Sequence, residues 1–195
     1  MNKILSIILV SLTCAYMTIN CKASEKQTQN PKKTLIVYFS YSHGNTKSIA
    51  EKLQKTLHAD IVCLEPKTPY PRDNEKMDKQ GREEVEQQFK PELKPLNIKL
   101  NDYDRIIIGT PTWWYRMAPV ILSFMSSNDF KGKTVIPFST HAGWAGSVIK
   151  DMTALAKEKG AIVENGHAFL FRDKKEGQPS IDSPEELDKW IDSLK

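Results

Sequence analysis

Three short segments of this chain concentrate residues able to hold a small ligand. The first is Ser40-Tyr41-Ser42-His43-Gly44-Asn45-Thr46, several hydroxyls and a glycine placed directly before a helix-like stretch. Hydroxyl donors, tight backbone geometry at a glycine and unpaired N–H groups at a helix start together bind a phosphate without a Lys or Arg. The dinucleotide pattern Gly-x-Gly-x-x-Gly is absent, and so is a nucleotide loop ending in Gly-Lys-Ser/Thr. A phosphate monoester at the end of a ligand therefore fits better than ATP or a dinucleotide, although the same residue types also make an ordinary helix cap. The second segment, Gly109-Thr110-Pro111-Thr112-Trp113-Trp114-Tyr115, sets two tryptophans side by side. Core packing accounts for one of them; burying both would need acceptors for two indole N–H groups, so a flat aromatic ligand is the natural partner for the other. The third, Ser139-Thr140-His141-Ala142-Gly143-Trp144-Ala145-Gly146, adds small residues, one histidine and a third tryptophan.

Strands must end at these segments if they are to converge. Thr34–Phe39 is a continuous β-branched and aromatic run, as in a strand buried on both faces. Thr46–His58 carries Ile49, Ala50, Leu53 and Leu57 at helical spacing. Further strands are predicted at Asp60–Leu64, at Tyr103–Gly109 around three consecutive isoleucines, and at Thr134–Phe138. A fifth covers Ala161–Val163 and His167–Phe171, interrupted near Asn165-Gly166. Helices are predicted at Ala118–Met125, at Ser147–Lys159 and after Ser183-Pro184-Glu185-Glu186, where a cap, a proline and two acids open the last one. The proline-punctuated stretch Pro66–Asn101, with a helix near Lys76–Phe89, reads as an elaborated crossover because it lacks apolar content of its own. Alternating strands and helices mean a parallel α/β sheet covered on both faces, here with five strands. In such sheets ligands bind beyond the carboxyl ends of the strands, which is where the three segments fall.

The 195 residues suffice for one such domain once the start of the chain is set aside. Lys3, an apolar run over residues 4–13 and a polar tail from Lys22 to Pro31 have the order of an export signal. Cleavage after Ala23 and lipidation of Cys21 both fit, the second leaving residues 24–33 as a tether; residues 34–195 form the domain. The protein is thus expected in the periplasm or anchored at the cell envelope. Cys14 and Cys21 belong to the signal, so the domain keeps only Cys63, which excludes an internal disulfide and a thiolate metal cluster. Cys63 lies in the apolar run Ile61–Leu64 and is expected in the core. His58 and His167 show no metal spacing and are expected at the surface or an edge. Lys3 and Lys22 supply two of the 28 positive charges, so 26 stand against 24 negative ones elsewhere, a balance that does not support nucleic-acid binding.

Taken together, the three segments resemble those of the flavodoxin-like FMN proteins, in the branch with Ser-x-x-Gly-Asn-Thr, Gly-x-Pro-x-Trp-Trp and Thr-His-x-Gly loops. The likeness runs from about Thr34 to the end and includes Pro69-Tyr70-Pro71 and Lys90-Pro91-Glu92-Leu93. It implies strand order 2-1-3-4-5 with helices on both faces, and FMN as cofactor. It further implies that Ser40, Ser42, Gly44, Asn45 and Thr46 hold the phosphate, with His43 an additional residue before Gly44. Pro111, Thr112, Trp113, Trp114 and Tyr115 would line the isoalloxazine ring, and Ser139, Thr140, His141, Gly143 and Trp144 would close its other side. Ala142 stands where a second glycine is common. His141 would either donate a proton or position the flavin by a hydrogen bond.

One-electron carriers of this family keep a glycine beside the flavin N5 so that a peptide can flip, and they are strongly acidic. No glycine follows Gly109 in residues 110–115, non-glycine residues resist positive φ, and this domain is not acidic. Both features point to two-electron reduction of a quinone-like or other small aromatic acceptor, with NAD(P)H or a protein as donor. The alternative is an electron-transfer protein docking to an envelope partner. Related reductases often form homodimers.

Overall fold

The computed structural model describes residues 33–173 and 179–195. The expected export signal, with Cys14 and Cys21, and the tether as far as residue 32 lie outside the described residues.

Five positions in the sheet follow the order expected. Strand β1 (Thr34–Tyr38) is buried along its whole length and pairs in parallel with β2 (Asp60–Cys63) on one side. On the other side it pairs with β3 (Arg105–Trp113), and β3 continues in parallel to β5 (Thr134–His141). The next position is shared by β6 (Ile162–Val163) and β7 (His167–Asp173), both parallel to β5. The interruption falls at Asn165, where φ is 48° and the backbone carbonyl accepts a 2.7 Å hydrogen bond from the Trp190 indole. Two short antiparallel strands were not anticipated: β4 (Arg116–Met117), a hairpin partner of β3, and β8 (Pro179–Ile181), beside β7.

Alternation along the strands divides the core. Ile106 and Ile108 of β3 face one side, packing with Phe124 of α3 (Pro119–Ser127) and Met152 of α4 (Val148–Glu158). Ile107 faces the other, with Ile49 and Leu53 of α1 (Asn45–Leu57) and Leu187 and Trp190 of α5 (Pro184–Asp192). Each of the three β3 isoleucines is 0% exposed, and full burial of such a side chain is worth roughly 1.5–3 kcal/mol. Helices therefore cover both faces, as a parallel sheet requires.

Two expectations need correcting. Cys63 is exposed, because β2 is an edge strand whose residues are at best partly covered. The second and third ligand segments are also not simply loops: β3 runs on to Trp113 and β5 to His141. Their ladder continues through Thr110 opposite Ser139 and Pro111 opposite Thr140. Pro111 is tolerated because the position next in line, Thr112, turns to β4 instead.

The crossover from β2 to β3 carries α2 (Asn74–Glu86), capped by Asp73, whose carboxylate accepts the Lys76 N–H at 2.9 Å. It starts two residues before the predicted helix and ends three before it, leaving Phe89 exposed. The crossover joins the main core through Tyr70, Met77, Leu93 and Leu96, on the face shared with α3 and α4.

Candidate functional site

At the carboxyl end of the sheet, Gly44 adopts φ 74° and acts as N-cap of α1 without any side-chain cap hydrogen bond. No acidic residue occupies the first turn. The partial positive charge of that helix end and its free N–H groups are left for an anion. Thr46 in the first turn is 1% exposed, and its Oγ1 is hydrogen-bonded to Thr140 Oγ1 at 2.8 Å. The first and third ligand segments are thereby joined by a buried contact. The cavity they enclose, about 300 Å³, is lined by Ser40 to Thr46, by Pro111 to Trp113 and by Thr140 to Ala142.

Within this cavity's wall Thr112 Oγ1 is buried and has no hydrogen-bond partner among the described residues. A buried hydroxyl left unsatisfied costs free energy, so its place beside a cleft marks a position where a ligand can supply the missing bond. His141 Nδ1 accepts a 3.3 Å hydrogen bond from the Gly143 N–H. That assigns the proton of the neutral ring to Nε2, which is left as a donor. Burial also pushes the imidazole below its ordinary value of 6.5. His141 is therefore neutral at pH 7, and its disfavoured cationic form makes the fold bind fewer protons than the unfolded chain. Stability is accordingly full above pH 6.5 and falls as the pH drops through the lowered folded value. Replacing His141 by Gln should flatten the acid side of a plot of denaturation midpoint against pH; an unchanged slope between pH 7 and 5 would contradict this assignment.

A larger cavity of about 500 Å³ adjoins the first and shares seven of its lining residues, Tyr41, Ser42, His43, Thr112, Trp113, His141 and Ala142. Its remaining wall comes from α2 and from Trp114, Tyr115 and Trp144. Trp114 and Tyr115 form the two-residue turn between β3 and β4, with φ of 47° and 67°. Both residues are left-handed, as in the tight hairpin turns that ordinarily take Asn-Gly, and for bulky aromatics this conformation is strained. The expectation that this loop avoids positive φ is thus overturned.

What holds the turn is tertiary. The Tyr115 carbonyl accepts the Ser147 N–H at 2.9 Å. Arg116 pairs with Asp151 at 2.7 Å, and the Arg82 guanidinium lies 5.1 Å from the centre of the Trp114 ring.

Of the two adjacent tryptophans, Trp113 is the packed one. Its ring stands edge-on to Phe39, Tyr41 and Tyr70, with centroids 5.5, 6.1 and 5.0 Å away. It also abuts Gly81 of α2, 3.4 Å from where a side chain would begin. Trp114, Tyr115 and Trp144 are 38, 55 and 74% exposed, and the last two meet edge to face at 6.4 Å. Of the remaining residues assigned from sequence, Ser139 is fully buried and lines neither cavity. Gly143 likewise lines neither and acts through its bond to His141. Tyr41, whose hydroxyl donates to the Pro71 carbonyl, lies in the first segment but was given no role of its own, and Asn74, Met77, Asp78 and Gly81 of α2 were missed altogether. Nothing local in the crossover sequence signals that its helix walls a cleft. Among the described residues no His, Cys, Asp and Glu cluster suits a metal ion.

FMN fits this cleft on three counts: an uncapped helix start for the phosphate, an unsatisfied hydroxyl in the wall, and aromatic surface beside it. No curated protein sequence matches the chain. Among solved structures, a flavoprotein in complex with FMN from Lactobacillus acidophilus NCFM is 29% identical, covering 82% of this chain and 99% of that one, with a TM-score of 0.59. A candidate flavoprotein from Bacteroides eggerthii DSM 20697 is 24% identical over 84% and 98% of the two chains, with a TM-score of 0.66. Oxidised flavodoxin 1 from Bacillus cereus, 19% identical over 83% and 94%, gives 0.53; these last two likenesses speak to the fold alone. The model of the flavodoxin family matches residues 33–193, and on that match the chain belongs to the flavodoxin family.

Proposed function

We propose that this protein is an exported FMN-dependent oxidoreductase that moves two electrons at a time, from NAD(P)H or a protein donor to a small quinone-like acceptor. Bound FMN would supply the hydride chemistry itself. The chain's own residues do the rest. The N-terminus of α1 and the hydroxyls of Ser40, Ser42 and Thr46 would hold the phosphate, and Thr112 and Pro111 would border the ring. The His141 Nε2–H would donate to negative charge on the ring, a role for which a neutral imidazole serves. Export rests on the order of residues 2–31, basic, apolar, then polar.

The observation that carries the two-electron reading is the clamped turn. One-electron flavodoxins rely on a peptide beside the flavin that flips between two states. Here Trp114 and Tyr115 already occupy positive φ, and the Tyr115 carbonyl is tied to α4 through Ser147. A peptide held in this way resists flipping. Anaerobic redox titration of the FMN-loaded protein at pH 7 should therefore show one two-electron step. Two well-separated one-electron steps would overturn the reading.

The second reading, an electron carrier docking to an envelope partner, is favoured by one feature. Trp114, Tyr115 and Trp144 make an exposed aromatic patch at the cleft mouth, the kind of surface that marks partner contacts. A carrier would give negligible turnover with NAD(P)H and benzoquinone.

A further inference from the structure

The outer cavity differs in chemistry from the inner one. Its lining includes the aromatic side chains of Tyr41, Trp113, Trp114, Tyr115 and Trp144, together with Met77 and Gly81. Among the residues lining it, Asp78 is the single carboxylate, and no Lys or Arg is present. Asp78 forms no ion pair within 4 Å among the described residues. Arg82, one helical turn further on, interacts with its charge from beyond ion-pair contact. Its guanidinium is instead committed to Glu86 at 2.8 Å and to the face of Trp114. An exposed carboxylate without a contact ion pair, beside π faces, attracts cations twice over, by its charge and through the ring quadrupoles. Any FMN phosphate in the adjoining cavity would add negative charge of the same sign.

From this we infer that α2 builds an acceptor site in the outer cavity, selective for flat cationic or neutral aromatic molecules and closed to anionic ones. The inference rests on the FMN reading above and names the substrate class of that site. The selecting residue is Asp78, with Asn74 one turn earlier on the same wall as a second polar contact. The selectivity belongs to the crossover between β2 and β3, since α2 contributes the carboxylate, while the polar side chains added by the strand-end segments, Ser42, His43, Thr112 and His141, carry no negative charge.

The test uses three redox-inert probes of one shape: N-methylquinolinium, quinoline and quinoline sulfonate, cationic, neutral and anionic. Binding is read from quenching of tryptophan fluorescence, both with and without FMN. The cation should bind about tenfold or more tighter than the anion, which is the effect of one partly screened charge at contact range. Asp78→Asn should bring that ratio close to one, and Asp78→Lys should reverse it, both in the titration without FMN and in the titration with it. Equal affinities of the wild-type protein for the three probes, or an unaltered ratio in both variants, would overturn the proposal while leaving the cofactor reading intact. Failure to take up FMN would overturn the cofactor reading, and the probe titration without FMN would still measure the cavity's preference.

Discussion

Gly146→Val is expected to be the most damaging single substitution outside the hydrophobic core. Gly146 has φ 60°, and a Cβ there would lie 2.1 Å from the Tyr115 carbonyl oxygen and 2.5 Å from the Tyr115 Cα. Those are backbone atoms of a turn that is itself strained, so no flexible side chain can swing aside. The valine must either push the β3–β4 turn away from α4 or unwind the start of α4, and either movement breaks the Ser147-to-Tyr115 hydrogen bond. A loss of about 2–4 kcal/mol in folding stability is expected from combined steric conflict and left-handed strain. FMN affinity should fall by more than about tenfold, since the turn and the third segment both border the cleft. Gly143→Ala is the control. Gly143 also has positive φ, 133°, but its added Cβ would meet nothing within 4 Å, so only the backbone penalty of about 1 kcal/mol applies. Urea denaturation and FMN titration of the two variants decide the matter. If Gly146→Val behaved like Gly143→Ala, the turn would not be clamped by this contact.

Thr46→Val should separate phosphate recognition from ring recognition. The substitution keeps the shape of a side chain that is 1% exposed but removes its hydroxyl, leaving Thr140 Oγ1 buried and without its 2.8 Å partner. Stranding a buried hydroxyl costs about 1–3 kcal/mol. The double variant Thr46→Val with Thr140→Val should lose less than the sum of the two single changes, because removing both hydroxyls strands neither. Since Thr46 stands in the first turn of α1, the preference for FMN over riboflavin should drop by about tenfold. Riboflavin affinity itself should change little. Calorimetric titration with the two flavins reads this directly. Equal losses for both would place Thr46 outside the phosphate site.

Residues 110–115 show where local reading stops. Three isoleucines at 106–108 announce a buried central strand, since no other environment accommodates such a run as well. Thr110 to Trp113, with a proline among them, carry the local signature of a loop. Yet they continue the strand, because the β5 ladder satisfies their backbone as far as Pro111 and β4 thereafter. The positive φ of Trp114 and Tyr115 was illegible for the same reason. Local preference argues against it, and only hydrogen bonds and side chains from α4 and α2 impose it. Cys63 was misread because an apolar run does not say whether its strand lies at the centre of a sheet or at its edge.

The amino-acid sequence by itself determined the order along the chain of the parallel strands and the helices, the two-faced core and the three strand-end segments. These are written in periodicities of two and 3.6 residues and in glycines, hydroxyls and prolines that act within a few positions of themselves. The tertiary structure alone decided which tryptophan packs and which is exposed, that Ser139 is buried outside the lining of the cleft, and that Tyr41 and α2 complete its outer wall. Those outcomes depend on contacts between Trp113 and Gly81, or Tyr41 and Pro71, about 30 residues apart along the chain. No local pattern encodes such a meeting; it exists only after the crossover has folded back across the sheet.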